Sequence, residues 1–114
     1  MKECIFCEIV NNPSQTTHVY EDGQVVAFKD LNPQAPYHVL IIPRKHIATL
    51  NNITSKDEPL IGHLFSTAKL LAQQQGFSES GYRTVFNCNK NAGQVVFHLH
   101  LHLLAGRLFH WPPG

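Results

Sequence analysis

The chain has 114 residues, of which 43% are hydrophobic and 15% are charged, a composition typical of a single globular domain over residues 1–114. Its formal net charge is +1 and its nine Lys and Arg residues are scattered, which argues against nucleic acid as a partner. No apolar run approaches the ~20 residues of a membrane span, and residues 1–7 lack the apolar centre of a signal peptide. We therefore expect a cytoplasmic protein without a membrane partner.

The predicted elements begin with short strands. The turn signal at Asp22-Gly23 separates the first two, which we expect to form a hairpin. Two prolines within residues 30–36 exclude regular structure there, and Pro43 ends the third strand. The predicted strands cover residues 18–20, 25–29, 38–42, 82–87 and 96–104.

One long helix is predicted over about residues 56–75. Ser55 and Glu58 fit a capping box at its start, and Gly76 is placed to end it. Short strands interrupted by a single long helix predict an α+β fold, in which an antiparallel sheet carries this helix on one face. Apolar residues recur at three- and four-residue steps and give one apolar helix face: Leu60, Ile61, Leu64, Phe65, Ala68, Leu71 and Ala72.

Residues 96–104 carry the sharpest chemical signal. Side chains alternate along a strand, so His98, His100 and His102 are predicted to share one face, spaced ~7 Å apart along a line. Two interpretations compete: a metal site, because His-x-His on a strand binds ions, or a nucleophilic histidine acting on a phosphate. The alternating apolar side chains are predicted to enter the core: Phe97, Leu99, Leu101 and Leu103.

The loop before these histidines favours the phosphate interpretation. Residues 87–93 form a turn-rich segment, and Gly93-Gln94-Val95 directly precedes the histidine strand. Backbone N–H groups in a glycine-containing turn can cradle phosphate oxygens, and Asn87 can supply a further donor. This loop fits an anion better than a cation.

The three cysteines do not indicate disulfides, because their number is odd and no secretion signal is evident. Cys4 and Cys7 form a C-x₂-C pair that is either two ordinary thiols or half of a metal site. His46 and His98 are candidate partners for such a site. Cys88 lies apart and is interpreted as an uninvolved thiol.

Residues 98–104 match the pattern His-φ-His-φ-His-φ-φ, in which φ is apolar, and resemble the histidine triad (HIT) superfamily. The resemblance covers the chain from Cys4 to Gly114 and favours the histidine triad nucleotide-binding branch. It implies a five-stranded antiparallel sheet with one long and one short N-terminal helix, and a homodimer whose two sheets are continuous. Other matching segments are Phe28-x-Asp30, Pro33-Gln34-Ala35-Pro36, His38, Ile42-Pro43-x-x-His46, Gly93-Gln94 and Trp111-Pro112-Pro113-Gly114.

The resemblance also implies a catalytic role for each histidine. His100 resembles the nucleophile that attacks the α-phosphorus and forms a nucleotidyl-histidine, which water then hydrolyses. His102 resembles the group that binds phosphate oxygens and assists the leaving group. His38 resembles an additional histidine that hydrogen-bonds within the triad. His98, the first histidine of the triad, is predicted to be the fourth catalytic histidine.

The substrate contacts implied by the resemblance divide into three parts. Asp30 resembles the carboxylate that holds the ribose hydroxyls. Many relatives carry a serine at the position of Val95, so this chain lacks a hydroxyl directed at the leaving group. The implied phosphate cradle comprises Asn87, Gly93, Gln94, Val95 and Val96 with His100 and His102. The implied apolar slot for the base comprises Ile5, Phe6, Ile9, Phe28 and Leu31.

The resemblance further implies a structural Zn²⁺ held by Cys4, Cys7, His46 and His98, with no catalytic metal. The leading predicted function is hydrolysis of nucleoside 5′-phosphoramidates and acyl-adenylates, with AMP or GMP derivatives as substrates. The alternatives are a dinucleoside polyphosphate hydrolase and a nucleotide-binding regulatory module with little catalysis. A further alternative is a metalloenzyme that uses the three triad histidines as ligands.

Overall fold

A computed structural model of the protein describes residues 4–12 and 17–114, so residues 1–3 of the segment examined for a signal peptide lie outside it. Its five strands form one antiparallel sheet in the order β1-β2-β3-β5-β4. The predicted α+β fold, with one short and one long helix, is confirmed. None of the helices in the described ranges has the length and apolar content that a bilayer crossing requires. The elements are α1 (Ile5–Asn11), β1 (His18–Glu21), β2 (Val25–Lys29), β3 (Tyr37–Pro43), α2 (Glu58–Gln74), β4 (Tyr82–Val85) and β5 (Leu101–Ala105).

The two faces of the sheet are covered by different helices. On one face, Leu64 and Ala68 of α2 join buried residues of β2, β3 and β5. On the other face, Phe6 and Ile9 of α1 join buried residues of β2 and β3. Because β2 and β3 are covered on both sides, they are apolar along nearly their whole length rather than at alternate positions.

The start of α2 differs from the prediction. The expected capping box of Ser55 and Glu58 is wrong, because the hydrogen bonds form one residue earlier. The backbone N–H and the hydroxyl of Thr54 both donate to Oδ2 of Asp57, at 2.9 and 3.3 Å. This carboxylate stabilises a single 3₁₀ turn, and α2 therefore begins only at Glu58.

The end of α2 follows the prediction. Gly76 has φ +82°, and its N–H donates to the carbonyl of Gln73 while the N–H of Phe77 donates to the carbonyl of Ala72. These two bonds form the Schellman pattern that ends many helices. Of the predicted apolar face, Phe65 is 44% exposed, whereas the other members are buried or half-buried.

The predicted strand over residues 96–104 is wrong in its first half. β5 begins at Leu101, which is opposite Ile41 of β3. Before that point the chain leaves the sheet, because the N–H of Leu99 donates to the carbonyl of Ile47 in the loop after β3, at 2.6 Å. The strand after α2 is also shorter than predicted, since β4 ends at Val85.

This departure changes the arrangement of the histidines. Phe97 does not enter the core but is about half exposed, whereas Leu99 is buried as predicted. The ring centroids of His100 and His102 lie 5.1 Å apart, closer than a regular strand would place them. His98 does not continue their line, because its ring is fully buried beside Cys4 and Cys7.

Candidate active site and metal centre

A cleft of about 440 Å³ opens beside α1, β2 and the loop before β5. Its volume is in the range typical of small-molecule sites. His38, Gln94 and His98 do not line it and are buried. The predicted site residues that line it are Ile5, Phe6, Ile9, Phe28, Asp30, Leu31, Asn87, Gly93, Val95, Val96, His100 and His102, and the remaining lining residues are Lys29, Asn32 and Leu40.

His100 is held in one tautomer by the backbone. Its Nδ1 lies 2.8 Å from the carbonyl oxygen of His98, which can only accept, so Nδ1 carries the proton. In the neutral ring, Nε2 then keeps its lone pair. The edge of the Phe6 ring packs against His100 with centroids 5.1 Å apart, which fixes the plane of the imidazole. His100 therefore presents an unprotonated nitrogen.

His102 is held in the opposite tautomer through His38. The backbone N–H of Gln34 donates to Nδ1 of His38 at 3.0 Å, so the proton of neutral His38 is on Nε2. That Nε2 lies 2.9 Å from Nδ1 of His102, which must accept. The proton of neutral His102 is then on Nε2, and this ring is a hydrogen-bond donor in the cleft.

Burial keeps both His38 and His102 neutral. Burial, followed by the neighbouring His100 and His38, lowers the pKa of His102 to about 4. Burial also lowers the pKa of His38, although the nearby Asp30 carboxylate opposes this shift. Asp30 Oδ2 lies 3.3 Å from His38 Nε2, and its Oδ1 accepts the backbone N–H of Asn32 at 2.8 Å. Asp30 is thereby fixed between His38 and the cleft.

The apolar part of the cleft is built from α1 and β2. The rings of Phe6 and Phe28 pack edge to face with centroids 5.5 Å apart, and Ile9 is buried beside them. Leu31 is 99% exposed at the rim, and Ile5 is exposed as well. Exposed apolar side chains that adjoin an apolar slot often mark a ligand-binding groove.

The loop before the histidines is braced by Gln94, a role that the sequence reasoning missed. Its Nε2 donates to the carbonyls of Ala48 and Val96, and its Oε1 accepts the N–H of Asn89. Within residues 4–12 and 17–114, the N–H groups of Val95 and Val96 have no protein acceptor. Such amides beside a glycine with φ +82° at Gly93 offer donors to an anion.

The predicted zinc ligands lie together. The donor atoms of Cys4, Cys7, His46 and His98 are all within 4.8 Å of one another. His46 Nδ1 and His98 Nδ1 are 3.2 Å apart, and Cys7 Sγ lies 3.3 and 3.5 Å from them. Tetrahedral Zn²⁺ with ordinary bond lengths separates two nitrogens by about 3.3 Å and a nitrogen and a sulfur by about 3.6 Å.

The surroundings of this cluster also suit a metal. His98 Nε2 donates to the carbonyl of Pro43 at 2.8 Å, so its Nδ1 is unprotonated and faces the thiols. Burial and the Cys4 side chain raise the pKa of the Cys7 thiol to about 11, and a divalent cation offsets this cost of the thiolate. The residues present therefore fit a structural zinc.

The geometry does not favour the three triad histidines as one metal site. Among the described residues, no group of potential ligands contains all three of them. A second group, Asp30, His38 and His102, is close enough for an ion, but its two rings hydrogen-bond directly to each other. Both ring nitrogens of His38 and Nδ1 of His102 are thus already used within the protein.

Comparison with known proteins agrees with this geometry. The sequence profile of the family described as "Scavenger mRNA decapping enzyme C-term binding" matches residues 3–109. The purine nucleoside phosphoramidase of Escherichia coli K12 is 42% identical over 106 residues, which cover 93% of this chain and 89% of that protein.

Two solved structures extend the comparison. A HIT family hydrolase from Legionella pneumophila is 52% identical and superposes with a TM-score of 0.95, covering 98% of this chain and all of that chain. A zinc-bound histidine triad family protein from Mycobacterium smegmatis is 28% identical with a TM-score of 0.78, covering 92% of this chain and 76% of that chain. These matches span the segment that carries His98, His100 and His102, and the chain belongs to the histidine triad (HIT) superfamily.

Proposed function

We propose that this protein hydrolyses nucleoside 5′-phosphoramidates and acyl-adenylates, with AMP or GMP derivatives as substrates. The observation that carries the proposal is the pair of opposite tautomers, since His100 presents a lone pair and His102 presents an N–H in the same cleft. Nucleophilic displacement at phosphorus needs both groups, one to attack and one to protonate the leaving nitrogen. The phosphoramidase of Escherichia coli, at 42% identity, supports this reaction class.

In the first step, His100 Nε2 forms a bond to phosphorus while the bond from phosphorus to the amine nitrogen breaks. The anionic phosphate favours one additional proton on the relay formed by His102, His38 and Asp30. His102 Nε2 gives that proton to the amine nitrogen, which keeps the electron pair of the broken bond. The products of this step are the free amine and a nucleotidyl-His100.

In the second step, a water oxygen attacks phosphorus and its proton returns to the relay. The bond from phosphorus to His100 breaks, its electron pair goes back to Nε2, and nucleoside monophosphate is released. The amides of Val95 and Val96 and the side chain of Asn87 donate to the phosphoryl oxygens in both steps. Donors fixed before the reaction stabilise the charge that develops there.

The rest of the cleft positions the nucleoside. The base lies in the apolar slot, and Asp30 accepts hydrogen bonds from the ribose hydroxyls. Gly93 gives the cradle its conformation, and the buried Gln94 holds the loop in place. The apolar residues of the slot are Ile5, Phe6, Ile9, Phe28 and Leu31.

A structural Zn²⁺ is held by Cys4, Cys7, His46 and His98 in this proposal. When bound, this ion would cross-link the start of α1, the loop after β3 and the segment before β5. His98 belongs to the triad by sequence, but its ring serves this cluster and only its carbonyl contacts His100.

The protein also forms a homodimer with a continuous sheet in this proposal. β4 lies at one end of the strand order, and Tyr82 on β4 and Phe65 on α2 are both partly exposed apolar side chains. Light scattering after gel filtration tests this point, with a monomer mass as the contradicting outcome.

The test of the reaction compares adenosine 5′-phosphoramidate with diadenosine polyphosphate. His100→Gln should lower kcat on the phosphoramidate by ~1,000-fold or more, whereas His110→Gln, in the exposed tail, should leave it unchanged. Intact-mass analysis after acid-free quenching should show the nucleotidyl adduct only when His100 is present.

A second comparison separates attack from protonation. His102→Gln should slow the phosphoramidate by ~100-fold but an acyl-adenylate much less, because a carboxylate leaves without a proton. Preference for the dinucleotide would move the protein to dinucleoside polyphosphate hydrolysis. AMP binding without turnover of any substrate would leave only a nucleotide-binding module.

A further inference from the structure

The start of α1 holds both cysteines of the potential zinc site in a single helical turn. Cys4 is the N-cap residue, and its Sγ accepts the backbone N–H of Cys7 at 3.3 Å. The two sulfurs lie within 4.8 Å of each other. Residues three apart in a helical turn are neighbours, and the same C-x₂-C spacing forms reversible disulfides in thiol–disulfide oxidoreductases. A small shift of the two side chains therefore brings the sulfurs to the ~2.05 Å of a disulfide bond.

One of the two cysteines borders a second cleft, of about 710 Å³. Cys4 and His46 line this cleft, whereas Cys7 does not and His98 is fully buried. A small solute in the second cleft therefore meets Cys4 before it meets Cys7. The other residues that line it are Ile5, Glu8, Ala48, Val95, Val96 and Phe97.

The same turn of α1 forms part of the wall of the first cleft. Cys4 Sγ and Cys7 Sγ lie 3.4 and 3.5 Å from His98 Nδ1, so the cysteines join α1 to the segment that leads to His100. Phe6, between the cysteines, is buried and packs against the rings of His98 and His100, with centroids 6.0 and 5.1 Å apart. The position of this wall therefore depends on the contacts between the sulfurs and His98.

We propose that Cys4 is a modification site for peroxides, at which oxidation leads to a disulfide with Cys7 and to release of the zinc. This inference rests on the proposed structural zinc but not on the proposed reaction. Disulfide sulfurs carry no negative charge, so the oxidised pair no longer offers the thiolates that Zn²⁺ requires. His46 and His98 then remain as two ligands, whereas a structural zinc site has four.

The oxidation transfers two electrons from the two sulfurs to the peroxide. The Cys4 sulfur attacks one oxygen of hydrogen peroxide, the O–O bond breaks, and hydroxide leaves a sulfenic acid on Cys4. The thiolate of Cys7 then attacks the Cys4 sulfur, the S–O bond breaks, and a second hydroxide leaves as the S–S bond forms. Each hydroxide takes a proton from the solvent, so the products are the disulfide and two molecules of water.

The disulfide should weaken binding in the first cleft. Once the sulfurs no longer share a ligand site with His98, α1 is held against His100 by the packing of Phe6 and its apolar neighbours alone. We expect the affinity for AMP to fall by about tenfold, a usual size for coupling between two sites. A dithiol reductant together with Zn²⁺ should restore it, because thiol–disulfide exchange reverses the bond.

The experiment treats the zinc-loaded protein with hydrogen peroxide in the presence of a chromogenic chelator that binds only released zinc. Zinc should appear in parallel with the loss of two hydrogens from the intact mass. Alkylation of the unfolded product should then modify a single thiol, that of Cys88. At short times, a 1,3-diketone that traps sulfenic acids should label Cys4 rather than Cys7, as located by fragmentation of the peptide that carries both.

Cys88→Ser is the matched control, because Cys88 lies outside the group of potential ligands. This variant should release zinc at the wild-type rate and leave no thiol for alkylation. Cys7→Ser should accumulate the sulfenic acid on Cys4, because no neighbouring thiol resolves it. Survival of the zinc and of both thiols under peroxide that oxidises free cysteine would overturn the proposal. A disulfide through Cys88, or a label mainly on Cys7, would overturn it as well.

Calorimetry with AMP completes the test on the reduced, the oxidised and the re-reduced protein. Equal affinity in the reduced and oxidised proteins would refute the coupling to the first cleft. A protein that takes up no zinc would refute the proposed zinc, and the presence or absence of the mapped Cys4–Cys7 disulfide would then decide the modification site. Failure to hydrolyse phosphoramidates would refute only the proposed reaction, because none of these measurements uses turnover.

Discussion

The backbone N–H of Gln34 donates to Nδ1 of His38 at 3.0 Å, and this single bond sets the proton positions of two further nitrogens. Gln34 is itself held from the end of β5, because Arg107 Nε donates to its carbonyl at 3.1 Å. The Arg107 guanidinium lies over the ring of Phe109, 4.3 Å from its centroid, which limits its freedom. The orientation of His38 and His102 therefore depends on residues that lie outside the cleft.

Gly106 is the point at which this support is most sensitive to substitution. Its φ is +100°, and an added Cβ would lie 2.9 Å from Cβ of Pro36 in the loop that carries Gln34. We expect Gly106→Ala to destabilise the protein by about 1–3 kcal/mol and to lower kcat. Urea denaturation and phosphoramidate turnover measure the two effects.

The matched control is Gly62→Ala in α2, where nothing lies within 4 Å of an added Cβ. That change should stabilise the protein by up to about 1 kcal/mol, because alanine favours helix over glycine. Equal stability of the two variants would contradict the account of Gly106.

The lowered pKa of His102 predicts how stability depends on pH. The ring titrates at about 4 in the folded protein, below the 6.5 of an unperturbed histidine, so between these values the unfolded chain binds more protons. Stability should fall as pH drops through this window. In His102→Asn, the loss between about pH 7 and about pH 5 should be smaller by about 1 kcal/mol, after allowance for partial exposure of the ring.

Urea denaturation at several pH values measures this slope for both proteins. The histidines that do not contact His102 contribute equally to the two slopes, so their difference reports His102 together with its neighbours His38 and His100. Parallel curves for wild type and His102→Asn would show that His102 is not neutralised by folding.

Asp22 joins the β1–β2 turn to α2. Its Oδ1 accepts the N–H groups of Gln24 and Val25, and its Oδ2 accepts from Tyr20 and lies 2.7 Å from His63 Nε2. Burial alone would raise the pKa of Asp22, but these hydrogen bonds outweigh it and hold the pKa well below its usual range. Asp22→Asn should therefore cost about 1–3 kcal/mol at neutral pH.

Asp22 and His102 both stabilise the fold less as the pH falls, but for opposite reasons. Folding favours the charged form of Asp22 and the neutral form of His102. A carboxyl with a lowered pKa stabilises the fold above its unfolded value of about 3.9, and this contribution disappears as the pH falls further. The stability difference between wild type and Asp22→Asn should shrink below about pH 4. A difference that is constant across the acid range would contradict the assignment.

The cluster of four potential zinc ligands leads to different predictions for Cys7, which belongs to it, and for Cys88, which does not. Purified wild type should contain about one zinc per chain, and Cys7→Ser should contain none, because a serine oxygen replaces a thiolate ligand. Loss of the metal should lower Tm and the affinity for AMP, since Cys4 caps α1, Cys7 lies within it, and α1 forms one wall of the cleft.

Cys88→Ser is the matched control for this measurement. Cys88 lies outside the group of potential ligands. The variant Cys88→Ser should therefore retain the full zinc content and the Tm of wild type. Elemental analysis together with calorimetry checks both variants. Equal zinc content in Cys7→Ser and wild type would disprove the ligand assignment.

The fold was largely predictable because its signals are local. Gly76 ends α2, Asp22 and Gly23 turn the chain between β1 and β2, and the apolar run of β3 indicates a strand covered on both faces. Resemblance to the HIT superfamily added the short helix α1, for which the sequence offers no clear periodicity of its own.

The bend at residues 96–100 could not be predicted from alternation. It depends on the hydrogen bond from Leu99 to Ile47, residues that are distant in the chain and both apolar. The roles of Gln34 and Gln94 were hidden for a similar reason. Gln34 acts through its backbone and Gln94 through contacts with Ala48 and Asn89, and neither kind of contact leaves a periodic pattern in the sequence.

His98 contacts His100 through its carbonyl and the cysteines through its ring. A backbone carbonyl is present whatever side chain occupies a position, so the proton on His100 does not require an imidazole at position 98. Substitution of the thiols or of the His98 ring is thus expected to leave the tautomer of His100 unchanged, even where it lowers stability. The candidate metal cluster and the tautomer of His100 are adjacent in this molecule yet depend on different atoms of His98.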